Sequence, residues 1–147
     1  MSSPPSARPV ALPAAPGGRL LAFVYDLLPM LALMMVGSAV FLWINGGQTV
    51  ERTPVLATLE FVSIWALVGA YFVLSWRRGG MTLGMRPWRL RLLAADGRPA
   101  SVRALWLRYA IGSVTPVVGW LWCLFDGERR ALHDIAAGTV LVRLQPA

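Results

Sequence analysis

The sequence predicts an all-α integral membrane protein with two full transmembrane helices, a third hydrophobic helical segment broken by proline and glycine, and a small cytoplasmic β element. Two apolar runs, residues 20–44 and 55–76, are long enough at about 1.5 Å rise per residue to cross the roughly 30 Å hydrocarbon core of a bilayer. A third, residues 105–125, carries Gly112, Pro116 and Gly119 in its middle. Composition agrees, with 56% hydrophobic and 14% charged residues, against roughly 45–50% and 25% in soluble domains.

At 147 residues the chain makes one domain at most. Its net charge of +7, carried by arginine without lysine, fits anionic lipid better than nucleic acid, because a nucleic-acid module has no use for three long apolar runs. Cys123 has no second cysteine to bond with and reads as a packing residue in an apolar run.

Residues 1–18 hold five prolines among serine and alanine and read as a flexible tail. The first apolar run exceeds a signal-peptide core and is expected to stay as an anchor. It contains Asp26, and Pro29 one turn later, where a kink is tolerable in a bundle. Asn45, Gly46 and Gly47 end that helix, and Pro54 opens the next. The second run contains Glu60 and a Ser63, Ala66, Ala70 stripe that fits close helix packing. Trp43 and Trp76 stand at the ends of the two spans, as interfacial aromatics do.

Residues 77–104 hold seven arginines against Asp96 alone, which makes this loop cytoplasmic and places the N-terminus with it after two crossings. Within it, residues 88–93 followed by Asp96 and Gly97 read as a strand entering a turn, and residues 139–144 as a β-branched strand. A single crossing by residues 105–125 would leave the tail outside, yet Arg129 and Arg130 favour the inside. A strand pairing of 90–93 with 140–144 would need one side too, so a re-entrant hairpin and a cytoplasmic tail are expected.

Arg19 and, seven residues on, Asp26 resemble the arginine and first aspartate of the RDD family, bacterial membrane proteins named for one arginine and two aspartates. The stretch RRALHDIAAGTVLV at 129–142 resembles its C-terminal signature and implies Asp134 as the second aspartate. MTLGM at 81–85 resembles a Thr-x-Gly-Lys element, with Met85 where lysine is usual and Arg86 beside it as a substitute. The resemblance covers residues 17–144, so residues 19–144 form a single RDD-like transmembrane domain. It implies a membrane architecture and, as suggested for the family, a transport role.

Arg19 and Asp26 share a helix face, but side chains lean toward the helix N-terminus, so a direct pair is not expected. Asp26 lies ~9 Å deep from the cytoplasmic end and Glu60 ~8 Å below the opposite surface, too far apart for a carboxylate dyad. Glu60 therefore reads as an aqueous-facing residue. Arg108 falls nearer the depth of Asp26 and is the expected partner; Asp26 is then either its counter-ion or a proton or cation site. Arg19 reads as an interfacial snorkelling residue, and His133 as a hydrogen bond that steadies the tail. Asp126 and Gly127 read as a turn, and Arg129 with Arg130 as a lipid-facing charge cluster. Arg86, Arg89 and Arg91 are the candidate lipid-facing basic set.

No metal-ligand cluster, nucleophile–base set, phosphate loop or CxxC motif stands in the chain, so no cofactor and no enzymatic activity are expected. Two functions remain. One is a transporter, or a component of a transport complex, for a cation, proton or small solute, working through Asp26 as a homo-oligomer. The other is a non-catalytic scaffold that recruits partners or anionic lipid through its arginine loop. Either way the expected place is a bacterial inner membrane, with the lipid bilayer as partner.

Overall fold

The computed structural model describes residues 11–49 and 53–145. Two long helices dominate it: α1, Pro16–Ile44, and α2, Pro54–Gly79. Each opens on a proline in its first turn, where a missing N–H costs nothing. Asn45 closes α1, its side-chain amide donating to the Phe41 carbonyl at 2.8 Å. Gly80 closes α2 in the left-handed conformation, φ 69°, and Arg77 and Arg78 in the last turn complement the helix dipole. Both helices are long and apolar enough to cross a membrane.

Their burial is lopsided. In α1 the buried residues are Arg19, Ala22 and Asp26, one stripe on its first turns; in α2 they are Val68, Gly69 and Val73, in its second half. The far halves expose Leu31, Met35, Val36, Trp43, Val55 and Phe61. A core helix of a soluble protein would bury such a surface, whereas lipid accepts it. Of the Ser63, Ala66, Ala70 stripe, Ser63 and Ala66 are exposed and only Ala70 is half-buried. The close approach falls at Gly69 instead, where an added Cβ would lie 2.5 Å from the Trp106 ring and 2.6 Å from Tyr109.

At the other end a three-stranded antiparallel sheet joins three distant pieces of chain in the order β1 (Ala11–Pro13), β3 (Thr139–Leu144), β2 (Leu90–Ala94). The pairing of β2 with β3 runs from Leu90 opposite Arg143 to Ala94 opposite Thr139, as the sequence predicts. The Asp96–Gly97 turn also forms, with the Arg98 N–H donating to Asp96 Oδ1 at 3.0 Å. β1 corrects the reading of residues 1–18 as a flexible tail: Ala11 to Pro13 pair with Leu144 to Val142, and α1 begins at Pro16. Pro13 fits there because β1 is an edge strand with a free side. The rest of that tail, residues 1–10, lies outside the described residues.

Residues 105–125 do not form one long helix. Ser101 caps α3, Val102–Val114, accepting from the Ala104 N–H at 3.2 Å, and the chain then bends at Thr115 and Pro116. It returns through α4, Val118–Leu121, a 3₁₀ turn at Trp122–Leu124, and α5, Leu132–Ala137, into β3. The third segment thus leaves the sheet and comes back to it. α3 packs along α2, where Tyr109 donates to the Trp65 carbonyl at 2.8 Å and Trp65 Nε1 to Ser113 at 3.2 Å. Cys123 is buried as a packing residue.

The apolar core sits where sheet and helices meet, built from Ala22, Val73, Met85, Leu90, Leu92, Leu105 and Leu141. It explains Met85: a lysine head group here would have to leave an apolar cluster, and the methionine side chain fills it.

Candidate functional site

Two buried carboxylates pin this junction, and Asp26 does not pair as depth alone predicts. Asp26, on the buried stripe of α1, is 4% exposed. It accepts from the Thr82 hydroxyl, from the Gly84 N–H at 2.9 Å and from the Tyr71 hydroxyl at 3.2 Å. The loop stays close because residue 84 is glycine: an added Cβ would run into the Ala22 carbonyl oxygen and stand 2.8 Å from Asp26 Cγ. Thr82 in turn accepts from the Met85 N–H at 3.3 Å, which closes the turn. Thr82 and Gly84 of the TLG stretch, with Tyr71 of α2, thus form a cradle of three donors for a carboxyl group that would be costly to bury without partners.

Asp134 is the second pin. It is fully buried, in the first turn of α5, and its Oδ2 accepts from the Ala131 N–H at 3.0 Å. Arg19 reaches Oδ2 at 2.6 Å, and Arg108 bonds Oδ1. The expected Asp26–Arg108 pair is thus overturned. Arg108 also donates to Thr139 at 3.0 Å and lies over the Trp76 ring at 5.2 Å, a cation–π contact that offsets an Nε without a partner among the described residues. Arg19 adds a bond to the Ala14 carbonyl at 3.3 Å. Arg19 is therefore not an interfacial residue, and Trp76 packs inward. One carboxylate so ties α1, α3, α5 and the strand ends together.

Burial alone would raise the Asp134 pKa, but Arg108 and Arg19 outweigh it and hold the carboxyl well below its usual range. His133, on the same short helix, is pushed down to about 4 by burial and by Arg108, against the pull of Asp134. Among the described residues its Nδ1 has no partner, against the expectation of a hydrogen bond. The signs give a pH profile. Below about pH 6.5 the unfolded chain protonates His133 while the folded chain resists until about 4, so stability present above 6.5 is lost across that window. Asp134 contributes stability above about pH 4, and that is lost only in stronger acid. Thermal melts in detergent from pH 8 to 4 are expected to fall by the equivalent of about 3 kcal/mol, and His133→Gln to flatten that fall. An unchanged slope in the variant would show that His133 is not the group responsible.

Other sequence expectations fare differently. Glu60 is half-buried and accepts from Ser38 of α1 at 2.8 Å. Arg130 pairs with Asp126 at 3.5 Å and Glu128 at 3.1 Å, and Asp126 accepts from the Arg130 N–H at 2.8 Å to close the turn. Of the basic set, Arg86 and Arg89 line one groove of about 830 Å³. Arg91 lies apart with its stem over Gly80, and Arg78, which sequence reasoning did not single out, joins the groove. Tyr71, Thr82, Gly84 and Thr139 were also missed as partners. The only available signal was that Thr82, Gly84 and Thr139 lie inside the motif-like stretches.

The sequence profile of the RDD family matches residues 13–138. No curated protein and no solved structure is significantly similar to the chain. The matched region begins in β1, ends between α5 and β3, and encloses Arg19, Asp26 and Asp134; with its apolar helices it points to a membrane location, and the chain belongs to the RDD family.

Proposed function

We propose that the chain is a non-enzymatic membrane scaffold: two spans in a bacterial inner membrane that carry a rigid basic platform on the cytoplasmic face. The observation that carries this reading is the state of the two buried carboxylates. Asp26 is surrounded by three donors from its own chain and Asp134 by two arginines, so both serve to hold the platform. The sheet brings together the strand before α1, the arginine loop and the tail, and the net +6 of residues 77–104 favours the cytoplasm for all three.

Transport of a cation, proton or small solute is the second reading, and one feature favours it. Tyr71 lines the open groove and touches Asp26, a polar link from the surface to an intramembrane carboxylate. With two long spans, that pathway would need several copies. Reconstituted vesicles separate the readings. The scaffold reading expects proton and sodium flux equal to that of empty vesicles for both wild type and Asp26→Asn; flux in wild type that Asp26→Asn abolishes, with the protein still folded, would overturn it.

A further inference from the structure

We infer that the groove between the end of α2 and the following turn is a site for the phosphate-bearing head group of an anionic phospholipid, held by Arg78, Arg86 and Arg89. This deepens the scaffold reading by naming what its basic face holds. The groove, about 830 Å³, has no acidic residue in its lining among the described residues. Its three arginines are exposed and make no ion pair among the described residues, although Asp126, Glu128 and Asp96 draw other arginines to themselves. Three unpaired guanidinium groups around one concavity suit a phosphate, which each can bond through two donors.

The backbone that presents them is fixed. Gly80 caps α2 just after Arg78, the cradle around Asp26 holds Thr82 and Gly84, and the Arg89 N–H donates to the Arg86 carbonyl at 3.1 Å. Arg89 itself sits at φ 54°, an uncommon conformation for a residue with a side chain, and its carbonyl accepts from the Leu144 N–H at 2.9 Å. The occupant is lipid rather than free phosphate because the other wall is apolar and opens onto a candidate span. Leu74 and Leu83 line the groove and are 48% and 53% exposed, and Leu74 lies on α2, little more than one turn from its end. An acyl chain can follow that helix while the head group meets the arginines.

The test is association of spin-labelled phosphatidylglycerol with the full chain in phosphatidylcholine nanodiscs. Wild type is expected to prefer it over labelled phosphatidylcholine by about fivefold or more, the value of roughly one arginine at an anionic surface. Arg78→Gln, Arg86→Gln and Arg89→Gln together should abolish the preference. The same charge removed outside the groove, at Arg77, Arg91 and Arg103, should leave most of it, and the single Arg86→Gln tests the site should the triple variant not fold. No preference in wild type, or equal loss in both triples, overturns the site. Displacement of the label by millimolar inorganic phosphate at constant ionic strength overturns the lipid as its occupant. Either failure in protein that carries no flux leaves the scaffold reading in place, whereas flux through Asp26 removes that reading without touching the lipid result.

Discussion

Asp134→Asn is expected to destabilise the protein by about 3–5 kcal/mol, because it leaves Arg19 and Arg108 buried with no counter-charge. Both arginines are nearly inaccessible, at 5% and 6% exposure, so neither escapes to water without opening the junction. In detergent the melting temperature should drop by roughly 10 °C. The cost is that of uncompensated charge more than of a lost contact. Replacing all three partners with apolar residues, Arg19→Met, Arg108→Met and Asp134→Leu, is therefore expected to recover most of the stability. An Asp134→Asn variant that melts with wild type would mean that the arginines have other partners.

Gly84→Ala is the second large effect. The new methyl would meet the Ala22 carbonyl and the Asp26 carboxyl, backbone and buried polar atoms that cannot move aside as a flexible side chain would. The loop must lift, Asp26 loses the Gly84 and Thr82 donors together, and about 2–4 kcal/mol is expected to go. Gly79→Ala, only five residues earlier, meets nothing within 4 Å and lies in the last turn of α2. There the same change should be neutral or slightly stabilising. The contrast is measured by tryptophan-detected melting of the two variants, and equal melting temperatures would dismiss the cradle.

The elements that sequence reasoning places well are those with a local cause. The two long helices follow from apolar length, the β2 and β3 strands from β-branched runs beside turn residues, and the shared side of loop and tail from charge. What it misses is long-range. β1 is three residues among prolines, and only the strand it meets, some 130 residues on, makes it a strand. Asp134 carries no depth signal because α5 is not part of a span, so counting along helices left Arg108 with Asp26 as its nearest apparent acid. Side-chain tilt is legible, since Arg19 leans away from Asp26, toward the sheet, and there it meets Asp134. Arg78 carries no local signal, because two adjacent arginines end α2 and only the fold separates the one that lines the groove.

The pairing that defines this junction gives Arg108 to Asp134 and Asp26 to the loop after α2. Two double-mutant cycles in mixed micelles test it directly, one combining Arg108→Gln with Asp134→Asn and the other combining Arg108→Gln with Asp26→Asn. The structure predicts a coupling of about 1 kcal/mol or more in the first cycle and additivity within about 0.5 kcal/mol in the second. Strong coupling of Arg108 to Asp26, with none to Asp134, would contradict it.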